Sequence, residues 1–312
     1  MNLGIPNLVA FAETLEALAE NDHKIVAVTS DSRGSGKLVA FVKKYPDQIV
    51  EVGIAEQNLV GMATGLASTG KKVFAVSPSC FLTARSLEQI KNDVCYSDNP
   101  VNLIGISAGV SYGALGTTHH SLHDLAVLRA INNLNIIVPA DNFETRNAIK
   151  LAANLEEPVF IRFGKRAMYD LHSESSKFEL GKGIKIKNGK DVAFIATGET
   201  VYPALQAAEL LEKEGIGCRV ISMHSIKPFD EVLLLETAQN CGAIITVEEH
   251  SVNGGLGELC AGLLMQQGIA LPFKIVGIPD EYTATGSQLE IFQHYGISPE
   301  GLFKMGKEIV KK

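Results

Sequence analysis

Glu56 opens a run of small residues, Glu51-Val52-Gly53-Ile54-Ala55-Glu56-Gln57-Asn58-Leu59-Val60-Gly61-Met62-Ala63-Thr64-Gly65-Leu66-Ala67. A carboxylate at a helix start is favoured by the helix dipole, so a capping role alone would account for it. The company it keeps suggests more: Gly61, Ala63, Gly65 and Ala67 make a helix against which something packs closely. A second group is Gly116-Thr117-Thr118-His119-His120, with His123 beyond it. Three nearby imidazoles could suggest a metal, but no carboxylate or Cys completes a known ligand spacing. A third is Phe160-Ile161-Arg162-Phe163-Gly164-Lys165-Arg166, an apolar run ending in cations. Open α/β sheets bind ligands at such strand ends, and planar Arg recognition suits an anionic phosphate or sulfonate. The alternative for these cations is a solvated rim of salt bridges.

Composition narrows the chemistry. The 312 residues are 46% hydrophobic and 20% charged, the balance of a soluble globular protein long enough for two domains. A net charge of -7 and no Lys/Arg run interleaved with aromatics argue for no nucleic acid as partner. The first twelve residues lack the features of a signal peptide, and no apolar stretch reaches the length of a membrane span, so no membrane partner is expected. Cys80, Cys95, Cys218, Cys241 and Cys260 are scattered and without CxxC spacing, which points to reduced, buried thiols in a cytoplasmic protein.

The elements that must position these residues follow from periodicity. Short apolar runs alternate with longer amphipathic stretches, the pattern of an α/β protein with mostly parallel sheets flanked by helices. Strands are expected at 24–29, 73–76, 101–107, 136–139, 159–162, 192–197, 218–222, 243–248 and 274–277. Helices are expected at 7–20, 55–68, 84–94, 123–131, 142–155, 203–214, 230–237 and 256–267. The polar segment 169–190 breaks the rhythm. It divides a first domain, residues 1–170, from a second, residues 191–312, with 171–190 as linker.

The stretch around Glu56 resembles the pyrimidine-binding domain of transketolases, especially those made as two chains. The resemblance covers nearly the whole chain. It implies that Glu56 binds a ring nitrogen of the aminopyrimidine of thiamine diphosphate (ThDP) and favours the imino tautomer that removes the thiazolium proton. Such work needs a carboxyl able to hold a proton near neutral pH, which burial favours. Ser30-Asp31-Ser32-Arg33-Gly34-Ser35 stands where the family has a loop facing cofactor and substrate phosphate, so Asp31 is implied at the cofactor and Ser35 at the substrate. In Ser77-Pro78-Ser79-Cys80-Phe81-Leu82, Phe81 matches an aromatic that stacks on the aminopyrimidine; Pro78 stands where relatives often have another. Arg85 is either part of the site or solvated. His119 matches the His of a G-x-S/T-H-Q motif that contacts the donor sugar. Arg166, and less closely Arg162 and Lys165, match cations that contact substrate phosphate. In the second domain, residues 191–198, 222–229 and 247–257 are similar to the transketolase C-terminal domain, shared with β subunits of 2-oxo-acid dehydrogenases. Gly254, Gly255 and Gly257 are read there as backbone packing.

Departures from the family matter as much. Ala114-Leu115 replaces an acidic pair whose Asp reads a sugar hydroxyl, Ser107-Ala108 replaces a His-Asp, and Val9 or a neighbour replaces a phosphate-binding Arg. A lost polar contact to one hydroxyl commonly changes discrimination by about 10². The substrate implied is therefore an unusual anionic sugar, such as a branched ketose phosphate or a sulfonated sugar. The chain also lacks the GDG motif with its following NN that holds magnesium (or calcium) and the diphosphate. Asn132-Asn133 follows no such motif. The resemblance thus implies an N-terminal transketolase subunit carrying GDG…NN as partner, Mg2+ (or Ca2+) held by that partner, and homodimerisation in an α2β2 assembly. Alternatives are a deoxyxylulose-phosphate synthase-like or 2-oxo-acid dehydrogenase β-like subunit, or a non-catalytic binding relative.

Overall fold

A computed structural model of the chain describes residues 1–173 and 175–311. The first half runs β1 (Leu3–Pro6), α1 (Asn7–Ala19), β2 (Ile25–Thr29), α2 (Val39–Lys44), β3 (Ile49–Glu51), α3 (Glu56–Ser68), β4 (Lys72–Pro78), α4 (Ser79–Arg85) and α5 (Leu87–Gln89). A π-helical stretch, Ile90–Tyr96, then leads to β5 (Val101–Ile106), α6 (Asp124–Arg129), β6 (Asn135–Ile137), α7 (Asn142–Ala152), β7 (Val159–Phe163) and β8 (Ala167–Tyr169). Strands β2, β4, β5 and β7 are buried over nearly their whole length, as parallel strands covered on both faces must be.

The second half runs β9 (Ile184–Lys187), β10 (Val192–Ala196), α8 (Val201–Glu212), β11 (Cys218–Ser222), β12 (Ser225–Lys227), α9 (Glu231–Asn240), β13 (Ile244–Ser251), α10 (Leu256–Gln266), β14 (Phe273–Ile278), α11 (Gln288–His294) and α12 (Pro299–Val310). Five strands form one sheet in the order β14-β13-β10-β11-β9, parallel except for β9. The chain is thus two α/β domains, each a mostly parallel sheet flanked by helices.

Two findings depart from the sequence-based organisation. Strand β9 lies inside the segment expected to be a linker: its alternating Ile184-Lys185-Ile186-Lys187 pairs antiparallel with β11. Strand β12 crosses over and pairs antiparallel with β6, so the first sheet has seven strands in the order β12-β6-β7-β5-β4-β2-β3. One apolar cluster accordingly joins Ile136 and Val138 to Met223 and Ile226 across the two domains.

The helix expected at 84–94 also differs. It begins at Ser79, directly after β4, and breaks at Ser86, whose hydroxyl bonds back to the Leu82 carbonyl. Such back-bonding bends helices.

Candidate functional site

Strands β7, β5, β4, β2 and β3 are consecutive and parallel, so the loops leaving their C-terminal ends share one edge. Those loops carry, in order, Lys165, the segment 107–121, Phe81, Asp31 and Glu56. This is the edge where open α/β sheets bind ligands. Asp31 and Ser107, just beyond β2 and β5, both hold the left-handed backbone, with φ of 50° and 53°. That conformation costs a non-glycine residue about 1–3 kcal/mol and clusters at functional sites.

Glu56 is only 4% exposed although it begins α3. Both of its oxygens accept from Arg85 Nη1, at 3.1 and 2.9 Å. The Arg85 side chain is 49% exposed, and its guanidinium lies 4.3 Å from the centre of the Phe81 ring. Phe81 meets the His119 ring edge-on at 5.4 Å, and His119 meets Tyr112 edge-on at 5.2 Å. The Lys165 ammonium sits 4.6 Å from the Tyr112 ring. A continuous line therefore runs Glu56–Arg85–Phe81–His119–Tyr112–Lys165, carboxylate at one end and cation at the other. Arg85 divides two open recesses. One, of about 590 Å3, is lined by Ile54, Glu56, Gln57 and Asn58; the other, of about 520 Å3, by Cys80, Phe81, Thr117, Thr118, His120 and His123.

The helices set this arrangement. Pro78 precedes α4 and starts it at the end of β4, placing Phe81 and Arg85 at i and i+4 on one face. Ser79 is buried beneath, donating to Asp124 Oδ2 at 2.6 Å. Ala63 and Ala67 of α3 pack into the core, whereas Gly61 and Gly65 face outward with nothing within 4 Å of where a Cβ would stand. The close packing expected of this helix is thus met by its alanines within the chain, and its glycine face is open.

The three histidines separate. His119 Nδ1 pairs with Thr118 Oγ1 at 3.0 Å, His120 Nε2 with the Gly113 carbonyl at 2.9 Å, and His123 Nε2 with Thr83 Oγ1 at 3.2 Å. Burial holds His120 below the usual imidazole range, against the pull of the Gly113 carbonyl. Among the described residues no cluster of His, Cys, Asp or Glu could hold a metal ion. All five cysteines are free and buried, and burial pushes the Cys80 thiol up to about 11. A thiol held so high is a poor nucleophile.

Asp31 and Ser35 lie on the same sheet edge. The Asp31 amide donates to Glu51 Oε1 at 2.7 Å, its side chain is exposed, and the Ser35 hydroxyl turns back to the Ser32 carbonyl at 3.2 Å. Arg162 requires a correction. Expected at the substrate, it is 3% exposed and committed to Asp124 and, at 2.7 Å, to the Glu249 carbonyl. It lies inside β7, one residue short of the strand end, and its side chain passes inward between the domains. Arg166 is exposed but lines an interdomain recess with Tyr169, Glu199 and Tyr202, apart from Phe81 and His119. Tyr112 escaped sequence reasoning, because a tyrosine in a Gly-rich loop carries no motif of its own.

Similarity to known proteins decides the family. Residues 5–169 match the transketolase, pyrimidine binding domain, and residues 181–302 the transketolase, C-terminal domain. The chain belongs to the transketolase family. It is 49% identical over 304 residues to a subunit of the apulose-4-phosphate transketolase of Phocaeicola vulgatus, covering 97% of each chain. It is 32% identical to the 6-deoxy-6-sulfo-D-fructose transketolase subunit of Clostridium sp. (strain MSTE9), covering 97% of this chain and 94% of that one. A solved split gene transketolase, an inactive beta4 tetramer, superposes with a TM-score of 0.89 at 36% identity, covering 99% of both chains. The chain is thus a transketolase-type subunit of the split kind.

Proposed function

We propose that this chain is the pyrimidine-side subunit of a ThDP-dependent split transketolase that moves a two-carbon ketol unit from a branched ketose phosphate to an aldose acceptor. The observation that carries the reading is the line from Glu56 to Lys165 along one sheet edge, in a chain 49% identical to an apulose-4-phosphate transketolase subunit. The donor class is supported by Leu115, 57% exposed in the loop that bears His119, where a hydroxyl-reading carboxylate is absent.

The residues fit an aminopyrimidine. A buried carboxyl and an aromatic face stand on either side of one half-exposed guanidinium, beside an open recess. Bound ThDP would supply a thiazolium carbon that stabilises the carbanion of the transferred unit. Arg85 pairs with both Glu56 oxygens and covers the Phe81 face, so it must swing aside for the ring to enter; Glu56 would then exchange a proton with the ring nitrogen and Phe81 would offer its face to the ring. Asp31 borders the cofactor from the β2 loop, with Ser35 toward the substrate. His119, between two aromatic rings, meets the donor's hydroxyls. Lys165, at the end of the line, draws the anionic end of the sugar. This sequence lacks the GDG motif that holds magnesium in the family, and we assign that ion to the GDG-bearing partner.

The partner covers the exposed face of α3, where Ile54 and Met62 are uncovered beside Gly61 and Gly65. Two copies of each chain form an α2β2 heterotetramer. Among the described residues no helix is long and apolar enough to cross a membrane, and five free thiols accord with a cytoplasmic setting.

Co-expression with the GDG-bearing chain, followed by ketol-transfer assays on apulose 4-phosphate, xylulose 5-phosphate and a sulfonated ketose, tests this. Turnover needing both chains, ThDP and Glu56, fastest with apulose 4-phosphate, is the expected result. Turnover unchanged in Glu56→Ala would overturn the assignment of the site.

A further inference from the structure

The loop that bears Tyr112, Leu115 and His119 leaves the first domain through a narrow neck. Gly109 and Ser121 form an isolated antiparallel bridge, with the Ser121 amide donating to the Gly109 carbonyl at 2.8 Å. The neck is gripped from the second domain. Glu249, two residues before the end of β13, accepts the Val110 amide at 2.8 Å. Gly109 has φ of +59°, and a Cβ there would stand 2.3 Å from the Glu249 carboxyl carbon. Gly113 rests likewise against the backbone of Gly286 and Ser287.

Glu249 is not alone. Gln288, at the start of α11, donates through one nitrogen to Glu249 Oε1 at 2.9 Å and to Glu199 Oε2 at 2.8 Å. A single nitrogen reaching both brings the two carboxyls within about 6 Å of each other, and both are over nine-tenths buried. Like charges so placed cannot both ionise cheaply. Glu199 Oε1 and Gln288 Oε1 are buried and accept no hydrogen bond, leaving acceptors that a carboxyl proton can serve. The charged groups facing the pair are Arg162 and Arg166, and Arg162 is already committed to Asp124, with His250 behind it.

We propose that Glu199 and Glu249 hold one proton between them across the domain interface, which makes Glu249 a positioning residue for the His119 loop. Burial, then the charge of Glu199, pushes Glu249 up to about 8, and burial raises Glu199 as well. The pair titrates as a unit. While the proton is held, the interface is neutral enough to stay closed and the Val110 amide stays gripped. Its loss puts two charges in a dry interface and loosens the neck.

The sign is fixed by linkage. A carboxyl raised above its unfolded value favours the folded state below about pH 4.5 and loses that contribution as pH rises through about 8. This inference rests on the reading of the His119 loop as the substrate loop, but two of its tests need no turnover. In the full chain alone, hydrogen exchange at the Val110 amide is expected to accelerate as pH rises through about 8, beyond the intrinsic rate, and not to do so in Glu249→Gln. The infrared difference between wild type and Glu249→Gln is expected to contain a protonated carboxyl stretch at neutral pH; the subtraction removes Glu248, also raised by burial. In the holoenzyme, KM for the donor is expected to rise about tenfold or more from pH 7 to 9. In Glu249→Gln it stays flat, and in Glu249→Ala it is high at every pH.

Gln and Ala behaving alike, with pH-independent exchange at Val110, would overturn the proposal and leave Glu249 merely structural. Exchange and infrared results as expected, without turnover on any donor, would leave it standing and remove the substrate reading instead.

Discussion

Under the proposed function, Leu115 and Glu56 are the residues whose replacement is expected to separate specificity from catalysis. Leu115 is exposed in the loop proposed to meet the substrate, so Leu115→Asp is expected to cost little stability while supplying a hydroxyl acceptor. It is expected to shift the ratio of kcat/KM values toward unbranched donors by about 10–100-fold, measured on paired donors in one assay. Glu56→Gln keeps the size and loses the carboxyl proposed to exchange the proton; kcat is expected to fall about 10²–10⁴-fold with binding of the partner chain unchanged. Arg162 gives the contrast. Burial works against the Asp124 charge, but Arg162, His250 and the Ser79 and Ser121 hydroxyls hold its carboxyl below the usual range. Arg162→Ala strands that charge and is expected to cost about 3–5 kcal/mol in denaturant unfolding. Motif matching grouped Arg162 with Lys165 and Arg166 because all three are cations near one strand end. Arg162 lies inside β7 and is buried, whereas Lys165 and Arg166 lie beyond its end and are exposed, a difference that no motif carries.

At the scale of elements, α3 shows what sequence carries and what it leaves open. Its start at Glu56 and its small residues were legible, since capping and composition are local. Which face would be empty was not, since that depends on where β4 and the π-helical stretch lie. Gly61→Leu with Gly65→Leu is expected to keep or raise the melting temperature of the lone chain, as each glycine lost from an exposed helix is worth up to about 1 kcal/mol. The same variant is expected to fail to assemble with the partner in gel filtration. Assembly as in wild type would remove α3 from the interface. The main parallel strands were readable from their apolar runs. Strands β1, β3, β8, β9 and β12, of three or four residues each, were not, because so short a run has no period to detect.

Across the whole molecule, buried ionisable groups concentrate where the two domains meet, and they respond to pH in different windows. His172 Nδ1 pairs with Asp141 at 2.8 Å, and its Nε2 lies 3.1 Å from Glu144 Oε1, off the hydrogen-bond axis. Glu144 in turn accepts from Ser222 of the second domain at 2.6 Å. Burial alone would lower His172; the two carboxylates outweigh it and hold it at about 10. Its contribution to stability is therefore complete below about pH 6.5 and lost as pH rises through about 10. His172→Gln is expected to melt a few degrees lower at pH 6, about 2–4 °C for each 1 kcal/mol, and to converge on wild type near pH 10. Calorimetry across that range checks it.

Strand β12 has a consequence for how this chain can be divided. Family boundaries invite a cut between residues 169 and 181, and each half then looks like a unit. The cut would carry away the strand that closes the β6 edge, baring a row of unpaired amides and carbonyls next to Ile136 and Ile137. A fragment ending there should stick to its own copies, and adding the missing half in trans should restore solubility by returning one three-residue strand. The seam in this polypeptide lies elsewhere than its gap in homology suggests.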